Sequence, residues 1–346
     1  MSDDLLKAIE TQARACLSLG APFSAGLLEH AGRDIAEGGV TCELLAPWSD
    51  LPAEQLIRDA VALRLLASLH HLALDGSAPE LAAFYPSHAA DPDRAWPVAA
   101  ALLAVHRERV AAMLTHEPQT NEVRRSACLL GGFLVIARDT GLPLRCFELG
   151  ASAGLNSLWD RFRYEIRGDH WGDPGSPVVL PCRWDGNAPA LDVNLTVAER
   201  HACDRKPLDI GCAEDLTRLL SYCWADQQQR MARLRAAIRV AQQARVEVVA
   251  AQAAEWVGRA APRIGTATVV FHSIVWQYIP AAEQSAIEAT LRRHAARATV
   301  DAPFYWLRME LNEASRKFEL RLRTWREWED SLLATVHPHG EFASWH

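Results

Sequence analysis

The chain has 346 residues, of which 49% are hydrophobic and 23% charged, and its formal net charge is -7. This length exceeds that of one average domain, so we expect two domains. The negative charge gives no electrostatic reason to bind nucleic acid or an anionic membrane, which favours a small-molecule partner. The first residues do not resemble a secretion signal and no run approaches the ~18 apolar residues of a membrane span. We therefore expect a cytoplasmic protein, and the composition leaves its oligomeric state open.

Eight cysteines are spread along the chain without a Cys-x-x-Cys pair. In a chain of this kind, most cysteines are small buried hydrophobic residues kept reduced. Cys203, Cys212 and the nearby His201 offer zinc-ligand chemistry, but their spacing matches no standard ligand pattern. We therefore expect no metal.

Residues 1–140 predict a helical domain. Apolar side chains recur at helical spacing over residues 5–17, 56–72, 98–114 and 123–137. The Pro-rich connection 77–97 predicts a loop with at most one helical turn.

The pattern changes at residue 141. A short apolar run over 144–149 predicts a buried strand, a Gly-rich turn follows, and the apolar residues from Leu155 to Phe162 predict a helix. Residues 165–193, rich in Gly, Pro, Asp and Trp, predict an irregular or hairpin insertion. The rest alternates: strands are predicted at 197–204, 246–251, 267–275 and 304–311, helices at 213–223, 227–244, 253–260 and 281–296, and a terminal hairpin at 317–324 with 332–336. This order predicts an α/β domain over 141–346, with a parallel sheet covered on both faces and an antiparallel edge.

The turn Glu148-Leu-Gly150-Ala-Ser152-Ala-Gly154 fits two templates. As Gly-x-Ser-x-Gly it matches the nucleophile elbow of α/β-hydrolases, and His337 or His339 would be a late base in the required order. A hydrolase elbow, however, normally follows several strands, whereas helices are predicted here, and no His-Gly-Gly-Gly segment precedes it. A dinucleotide-binding turn is disfavoured because Ser152 stands where a second glycine is needed.

As acidic-x-Gly-x-Ser-x-Gly, the same turn resembles the cofactor loop of class I S-adenosylmethionine-dependent methyltransferases. The resemblance implies a Rossmann-like methyltransferase sheet and S-adenosylmethionine as cofactor. It implies that Glu148 and the Gly150–Gly154 turn hold the amino-acid end of the cofactor, Asp204 its ribose hydroxyls and Gln252 its adenine. Vicinal hydroxyls match a carboxylate acceptor, and a neutral amide can bond an adenine edge. The implied cofactor-binding residues are Glu148, Gly150, Ser152, Gly154, Asn156, Asp204 and Gln252. Many of these methyltransferases carry Asp where this chain has Gln252.

Five further motifs run through nearly the whole chain. They are Gln119-Thr-Asn-Glu-Val123 with Arg125-Ser126, the segment Glu148–Asn156, Cys203-Asp204 with Pro207-Leu-Asp209, His272-Ser-Ile-Val-Trp-Gln-Tyr278, and His337-Pro-His-Gly340. On these motifs the chain resembles a bacterial family of uncharacterised proteins. That resemblance does not define a reaction.

Three groups of side chains, two polar and one aromatic, are candidates for catalysis or substrate binding. His272 and Ser273 end a buried strand at the edge where open α/β folds bind ligands, and Glu310 ends the next strand. We expect His272 to accept a proton or to orient a substrate. The polar residues within 119–125, at the start of a predicted helix, either cap that helix or line the active cleft. The aromatic residues Trp276 and Tyr278 either pack against the protein interior or stack on a substrate. These cleft candidates are Gln119, Asn121, Glu122, Arg125, Trp276 and Tyr278.

The expected function is therefore methyl transfer from S-adenosylmethionine to a small molecule. A non-catalytic binding module with the same fold is the alternative, because a fold alone does not define a function. A serine hydrolase using Ser152 is a third possibility.

Overall fold

The structure is a computed structural model that describes residues 3–346. Its contacts divide the chain into two units, one made of the residues up to Thr120 with Ile210–Arg235, the other of Asn121–Asp209 with Ala236–His346. No helix in the described part of the chain is long and apolar enough to cross a membrane.

Each helical segment predicted within residues 1–140 contains helix, but two of these segments are divided, helices also occupy 22–36 and 40–45, and two helices begin inside the predicted loop 77–97. The described helices are α1 (Asp3–Ser18), α2 (Pro22–Ala36), α3 (Val40–Leu45), α4 (Ala53–Arg58), α5 (Val61–Leu74), α6 (Pro79–Ala82), α7 (Pro92–Val105), α8 (Arg107–Leu114), α9 (Ser126–Thr140), α10 (Ala213–Ser221), α11 (Gln228–Ala244), α12 (Ala253–Trp256) and α13 (Ala281–Ala295). The apolar pattern over 56–72 belongs to α4 and α5, which Ala60 separates with a left-handed backbone (φ 54°). The pattern over 98–114 belongs to α7 and α8, which meet at His106.

The first unit holds the helices that pack around an apolar core of mainly Leu, Ala and Ile side chains. The returning segment 210–235 completes this unit through Asp226. The Asp226 carboxylate accepts the N–H groups of Phe23 (2.8 Å) and Ser24 (3.1 Å), which lie at the start of α2. These N–H groups have no partner inside the helix, so a side chain some 200 positions away caps α2.

The second unit contains two sheets. Its strands are β1 (Leu144–Leu149), β2 (Arg163–Ile166), β3 (Asp169–Gly172), β4 (Val179–Pro181), β5 (Arg183–Gly186), β6 (Val197–Asp204), β7 (Val248–Ala250), β8 (Ala267–Ser273), β9 (Phe304–Asn312), β10 (Lys317–Thr324), β11 (Asp330–Val336) and β12 (Phe342–Trp345). The main sheet has the order β5-β12-β11-β10-β9-β8-β1-β6-β7, and β3-β2-β4 form a small second sheet. The insertion is thus a hairpin with a third strand, and the residues after β1 form a 3-10 helix, Leu155–Arg161, in place of the predicted α-helix.

The main sheet is parallel from β7 through β9 and antiparallel from β9 through β12. This mixed sheet and its terminal hairpin are predicted from the sequence, and both are confirmed. From β1 the chain adds β6 and β7 on one side and then β8 and β9 on the other. Such a reversal of strand order lies between β1 and β8, and open α/β sheets bind ligands at the carboxyl ends of the strands at this point.

Both faces of the parallel strands are covered, as predicted. On one face, Val270 of β8 and Trp306 of β9 share an apolar cluster with Ile287 and Leu291 of α13. On the other, Phe271 of β8 packs edge-on against Phe133 of α9. Adjacent residues of one strand thus face opposite layers, the alternation expected of a strand buried on both sides.

Candidate functional site

The turn after β1 is held in a left-handed backbone conformation at three positions. Gly150 has φ 66°, Ser152 φ 55° and Gly154 φ 73°. A left-handed conformation is easy for glycine and costly for serine, and such strain in native proteins is concentrated at functional sites. The hydroxyl of Ser152 is buried and has no hydrogen-bond partner in the described chain.

The two glycines of the turn lie against protein rather than against open space. A Cβ on Gly150 would lie 2.3 Å from Val275 Cγ2, and one on Gly154 would lie 2.8 Å from Val248 Cγ2. The glycines therefore allow the turn to pack closely on the residues that follow β8 and on β7.

Asp204, at the end of β6, binds the turn directly. One carboxylate oxygen accepts the Ser152 N–H at 2.8 Å and the other accepts the Lys206 N–H at 2.8 Å. The backbone adds a bond from Leu208 N–H to the Ser152 carbonyl (3.3 Å). The neighbouring carboxylate thus stabilises the strained conformation of Ser152, because charged acceptors make strong bonds to backbone N–H groups.

Asn121 clamps the other side of the turn. Its side-chain amide donates to the Ala151 carbonyl (3.1 Å) and accepts the Leu155 N–H (3.1 Å). Asn156 in return donates to the Glu122 carbonyl at 3.3 Å, and its Oδ1 atom is buried without a hydrogen-bond partner in the described residues. Asn121 also has a left-handed backbone (φ 37°), which asparagine adopts more readily than most residues. Two polar segments predicted separately, 119–125 and 148–156, therefore meet.

Glu148 supports the turn from inside the sheet. It is 3% exposed, and its Oε2 lies 2.5 Å from the Ser157 hydroxyl. The pKa of Glu148 is raised to about 8: burial raises it most, the Ser157 hydrogen bond lowers it, and the nearby Asp204 charge raises it. Near neutral pH the side chain is therefore mainly an uncharged acid.

The end of β8 carries a buried histidine–carboxylate pair. His272 is 0% exposed, its Nδ1 lies 2.6 Å from Glu310 Oε1, and its ring stacks on Trp276 with centroids 5.2 Å apart. The same Glu310 oxygen accepts the Val275 N–H at 3.1 Å. Ile274, between them, has a left-handed backbone (φ 52°), which is a genuine outlier for a β-branched residue. Glu310 thus holds a strained turn whose Val275 side chain packs on Gly150.

Arg125 joins the end of β8 to the last loop of the chain. Its Nη1 donates to the Ser273 carbonyl (3.2 Å) and its Nε to the Pro338 carbonyl (3.0 Å). In that loop, Gly340 (φ 74°) approaches the Arg124 carbonyl so closely that a Cβ would lie 2.1 Å from the oxygen. His339 lies 3.9 Å from the buried Glu122. The His337–Gly340 motif therefore belongs to the same site as Arg125.

Of the remaining predicted residues, Trp276 contacts this cluster by stacking on His272. Gln252 follows β7 and is exposed, Trp276 is half-buried, and Tyr278 is 61% exposed. Gln119 belongs to the first unit, whereas Asn121 belongs to the second. No group of three metal-ligating side chains occurs among residues 3–346, and Ser152 makes no bond to a histidine there, although a serine nucleophile needs such a base.

A surface cavity of about 1250 Å³ lies at the opposite edge of the sheet. It is bounded by Arg138 and Asp139 at the end of α9 and by the loop 187–193. None of the predicted site residues lines it. We place the candidate site at the carboxyl edge, because the strained turns and buried polar groups lie there.

The fold and site define an α/β protein with a helical N-terminal part and a large mixed sheet whose carboxyl edge carries the polar cluster. The chain belongs to a bacterial family described as "Uncharacterized protein conserved in bacteria (DUF2332)", whose model matches residues 7–345. No curated protein and no solved structure matches the chain.

Proposed function

We propose that the second unit binds S-adenosylmethionine across the carboxyl ends of β1, β6 and β7 and transfers its methyl group to a small molecule. The observation that supports this is the order of the polar strand ends. The Ser152 turn follows β1, Asp204 ends the adjacent β6, and Gln252 follows β7, which pairs with β6 beside Asp204. An elongated nucleoside lying across neighbouring strand ends would meet a polar turn, a carboxylate and an amide in this order.

The residues at this edge fit three parts of S-adenosylmethionine, which are its amino-acid end, its ribose and its adenine. Ser152 Oγ and Asn156 Oδ1 are buried without hydrogen-bond partners in the described chain, and they would bind the amino-acid end. The Asp204 carboxylate, which accepts the Ser152 and Lys206 N–H groups, would also bind the ribose, and the exposed Gln252 would bind the adenine. The Glu148 carboxyl is bonded to Ser157 inside the sheet, so it would support the turn that holds the amino-acid end.

S-adenosylmethionine supplies a methyl group on a positively charged sulfur, which is reactive toward a nucleophile. The contribution of the protein is alignment of the acceptor and exclusion of water. We assign Glu310 and His272 to positioning, because they hold the 273–275 turn against Gly150. Proton removal by His272 would require access to its buried Nε2.

Binding of S-adenosylhomocysteine, the demethylated product, tests the proposal. We expect saturable binding by isothermal titration calorimetry. Gln252→Ala should weaken it roughly two- to tenfold, the value of one neutral hydrogen bond. Gln243→Ala, which alters an exposed glutamine of α11, is the matched control and should leave affinity unchanged.

The alternatives differ in outcome. Binding of S-adenosylmethionine without methyl transfer to any acceptor in a metabolite extract would favour the non-catalytic module. Absence of binding at millimolar S-adenosylhomocysteine would contradict the cofactor assignment. An esterase activity abolished by Ser152→Ala would instead support the serine hydrolase.

A further inference from the structure

Away from the carboxyl-edge turn, unpartnered nitrogen atoms concentrate around one tryptophan of the main sheet. Trp306 of β9 is 0% exposed, and its Nε1 has no hydrogen-bond partner in the described chain. The same holds for the Nε1 atom of Trp328 and the Nε atoms of Arg308 and Arg323. Native proteins leave few buried polar groups unsatisfied, so four such donors in one place call for an explanation.

These four side chains form one cluster on one face of the sheet, which we call the Trp306 cluster. The Arg308 guanidinium lies 4.3 Å from the Trp306 ring centroid and that of Arg323 lies 5.2 Å from it. The Trp328 ring stacks on Trp306 with centroids 6.3 Å apart. In the ladder, Trp306 pairs with Arg323 and Arg308 pairs with Arg321, which explains why these side chains share a face.

Three arginines and three carboxylates meet on this face, and all three arginines share one of the carboxylates. Arg308, Arg321 and Arg323 bring three positive charges, and they share Asp330. Arg321 also pairs with Glu319, and Arg323 lies 3.8 Å from Glu288 of α13. The pKa of Arg323 is lowered, first by burial and then by the Arg308 charge. Guanidinium and indole N–H groups without a hydrogen-bond partner, on arginines that share one carboxylate and on the tryptophans beside them, are donors that an oxyanion can bind.

The turn that joins β10 to β11 covers the cluster. It carries Trp325 and Trp328, and Trp328 has a left-handed backbone (φ 53°), an outlier for a bulky residue. Strain of this kind occurs at ligand clamps, and it lies here in the residue that stacks on Trp306.

We infer that the Trp306 cluster is a second binding site, which takes a small molecule bearing an oxyanion, either a carboxylate or a phosphate. The indole and guanidinium N–H groups would donate to the oxygens, and the Trp306 and Trp328 rings would contact the rest of the ligand. His272, whose ring centroid lies 5.9 Å from that of Trp306, connects this site to the turn after β8.

Titration of the full-length protein with sodium phosphate, and separately with sodium acetate, tests this inference, with sodium chloride as the control for ionic strength. We expect saturable binding of one of the two anions. In ¹H–¹⁵N spectra, the indole N–H signals of Trp306 and Trp328 should shift downfield. The anion that saturates distinguishes a phosphate ligand from a carboxylate ligand.

Trp328→Phe removes one donor and keeps an aromatic ring, so it should weaken binding about tenfold or more. Trp325→Phe is the matched control, because Trp325 lies in the same turn and its indole N–H is not among the unpartnered donors. This substitution should change the affinity for the anion less than twofold, the size expected of a change away from the binding groups. If Trp328→Phe fails to fold, Arg323→Lys, which keeps the charge and loses the guanidinium donors, should weaken binding similarly. No saturable binding of either anion would overturn the inference, and so would equal losses in the two tryptophan variants.

Discussion

At the scale of single residues, Glu148 is a motif residue whose carboxyl lies inside the sheet and supports the turn after β1. Its carboxyl is buried, bonded to Ser157, and has a pKa of about 8. An ordinary glutamate ionises near pH 4.3 in an unfolded chain. The folded protein therefore keeps a proton on Glu148 over a range where the unfolded chain has lost it.

This difference predicts how stability depends on pH. Between about pH 4.5 and about pH 8, Glu148 is ionised in the unfolded chain but protonated in the folded protein, so a rise in pH stabilises the unfolded state relative to the folded one. The Glu148 contribution to the free energy of unfolding therefore falls as pH rises from about 4.5 to about 8 and is constant above that. Each unit of pKa difference corresponds to about 1.4 kcal/mol. Glu148→Gln keeps an acceptor for Ser157 and cannot ionise, so its stability relative to the native protein should increase over this range. Urea unfolding of the variant and of the native protein at pH 5 and pH 8 measures this difference in stability.

The control for this prediction is Glu165→Gln, which alters an exposed carboxyl of β2. Its stability relative to the native protein should be the same at both pH values. If the stability of Glu148→Gln relative to the native protein were instead the same at both pH values, Glu148 would be ionised in the folded protein. The internal role assigned to it would then be wrong.

At the scale of elements, the turn after β1 depends on glycine for two separate reasons. Position 150 has a left-handed backbone, and a Cβ atom there would overlap the Val275 side chain. Gly141, which ends α9, has nearly the same backbone (φ 63° against 66°), but an added Cβ would meet nothing within 4 Å. The two positions therefore separate conformational cost from steric cost.

We predict that Gly141→Ala lowers the free energy of unfolding by roughly 1–2 kcal/mol, the cost of a left-handed alanine. Gly150→Ala should lose that amount and a further ~1–3 kcal/mol from overpacking against Val275. Adding Val275→Ala to Gly150→Ala should recover part of the second loss, which a double-mutant cycle measures. Equal losses at the two glycines would contradict the close packing of the turns after β1 and β8.

The elements that could be predicted from the sequence are those defined by a local pattern of residues. The buried strands and the terminal hairpin follow from apolar runs, and the polar ends of β1, β6 and β8 could be assigned to one edge because parallel strands end together. The Asn121 clamp and the Asp226 cap could not be predicted, since each joins segments distant in the chain. The interior position of Glu148 was also missed, because a carboxylate in a ligand-binding motif and a buried carboxyl look alike in sequence.

At the scale of the whole molecule, the sheet brings distant segments together at one edge. The segments 121–125, 150–156, 204–208, 273–275 and 337–340 are linked by the hydrogen bonds of Asn121, Asp204 and Arg125. The opposite edge holds the large surface cavity beside the loop 187–193. Size alone would favour the cavity as a ligand site, whereas the reversal of strand order favours the carboxyl edge.

Hydrogen exchange can distinguish these two edges. We predict that saturating S-adenosylhomocysteine slows amide exchange in the segments 150–156 and 204–208, because a ligand stabilises turns that otherwise open locally at low cost. Exchange in the loop 187–193 should remain unchanged and provides an internal control within the same protein. The measurement is peptide-resolved mass spectrometry with and without the ligand. Protection of 187–193 with no change at 150–156 would move the binding site to the opposite edge, and protection nowhere would contradict the choice of cofactor.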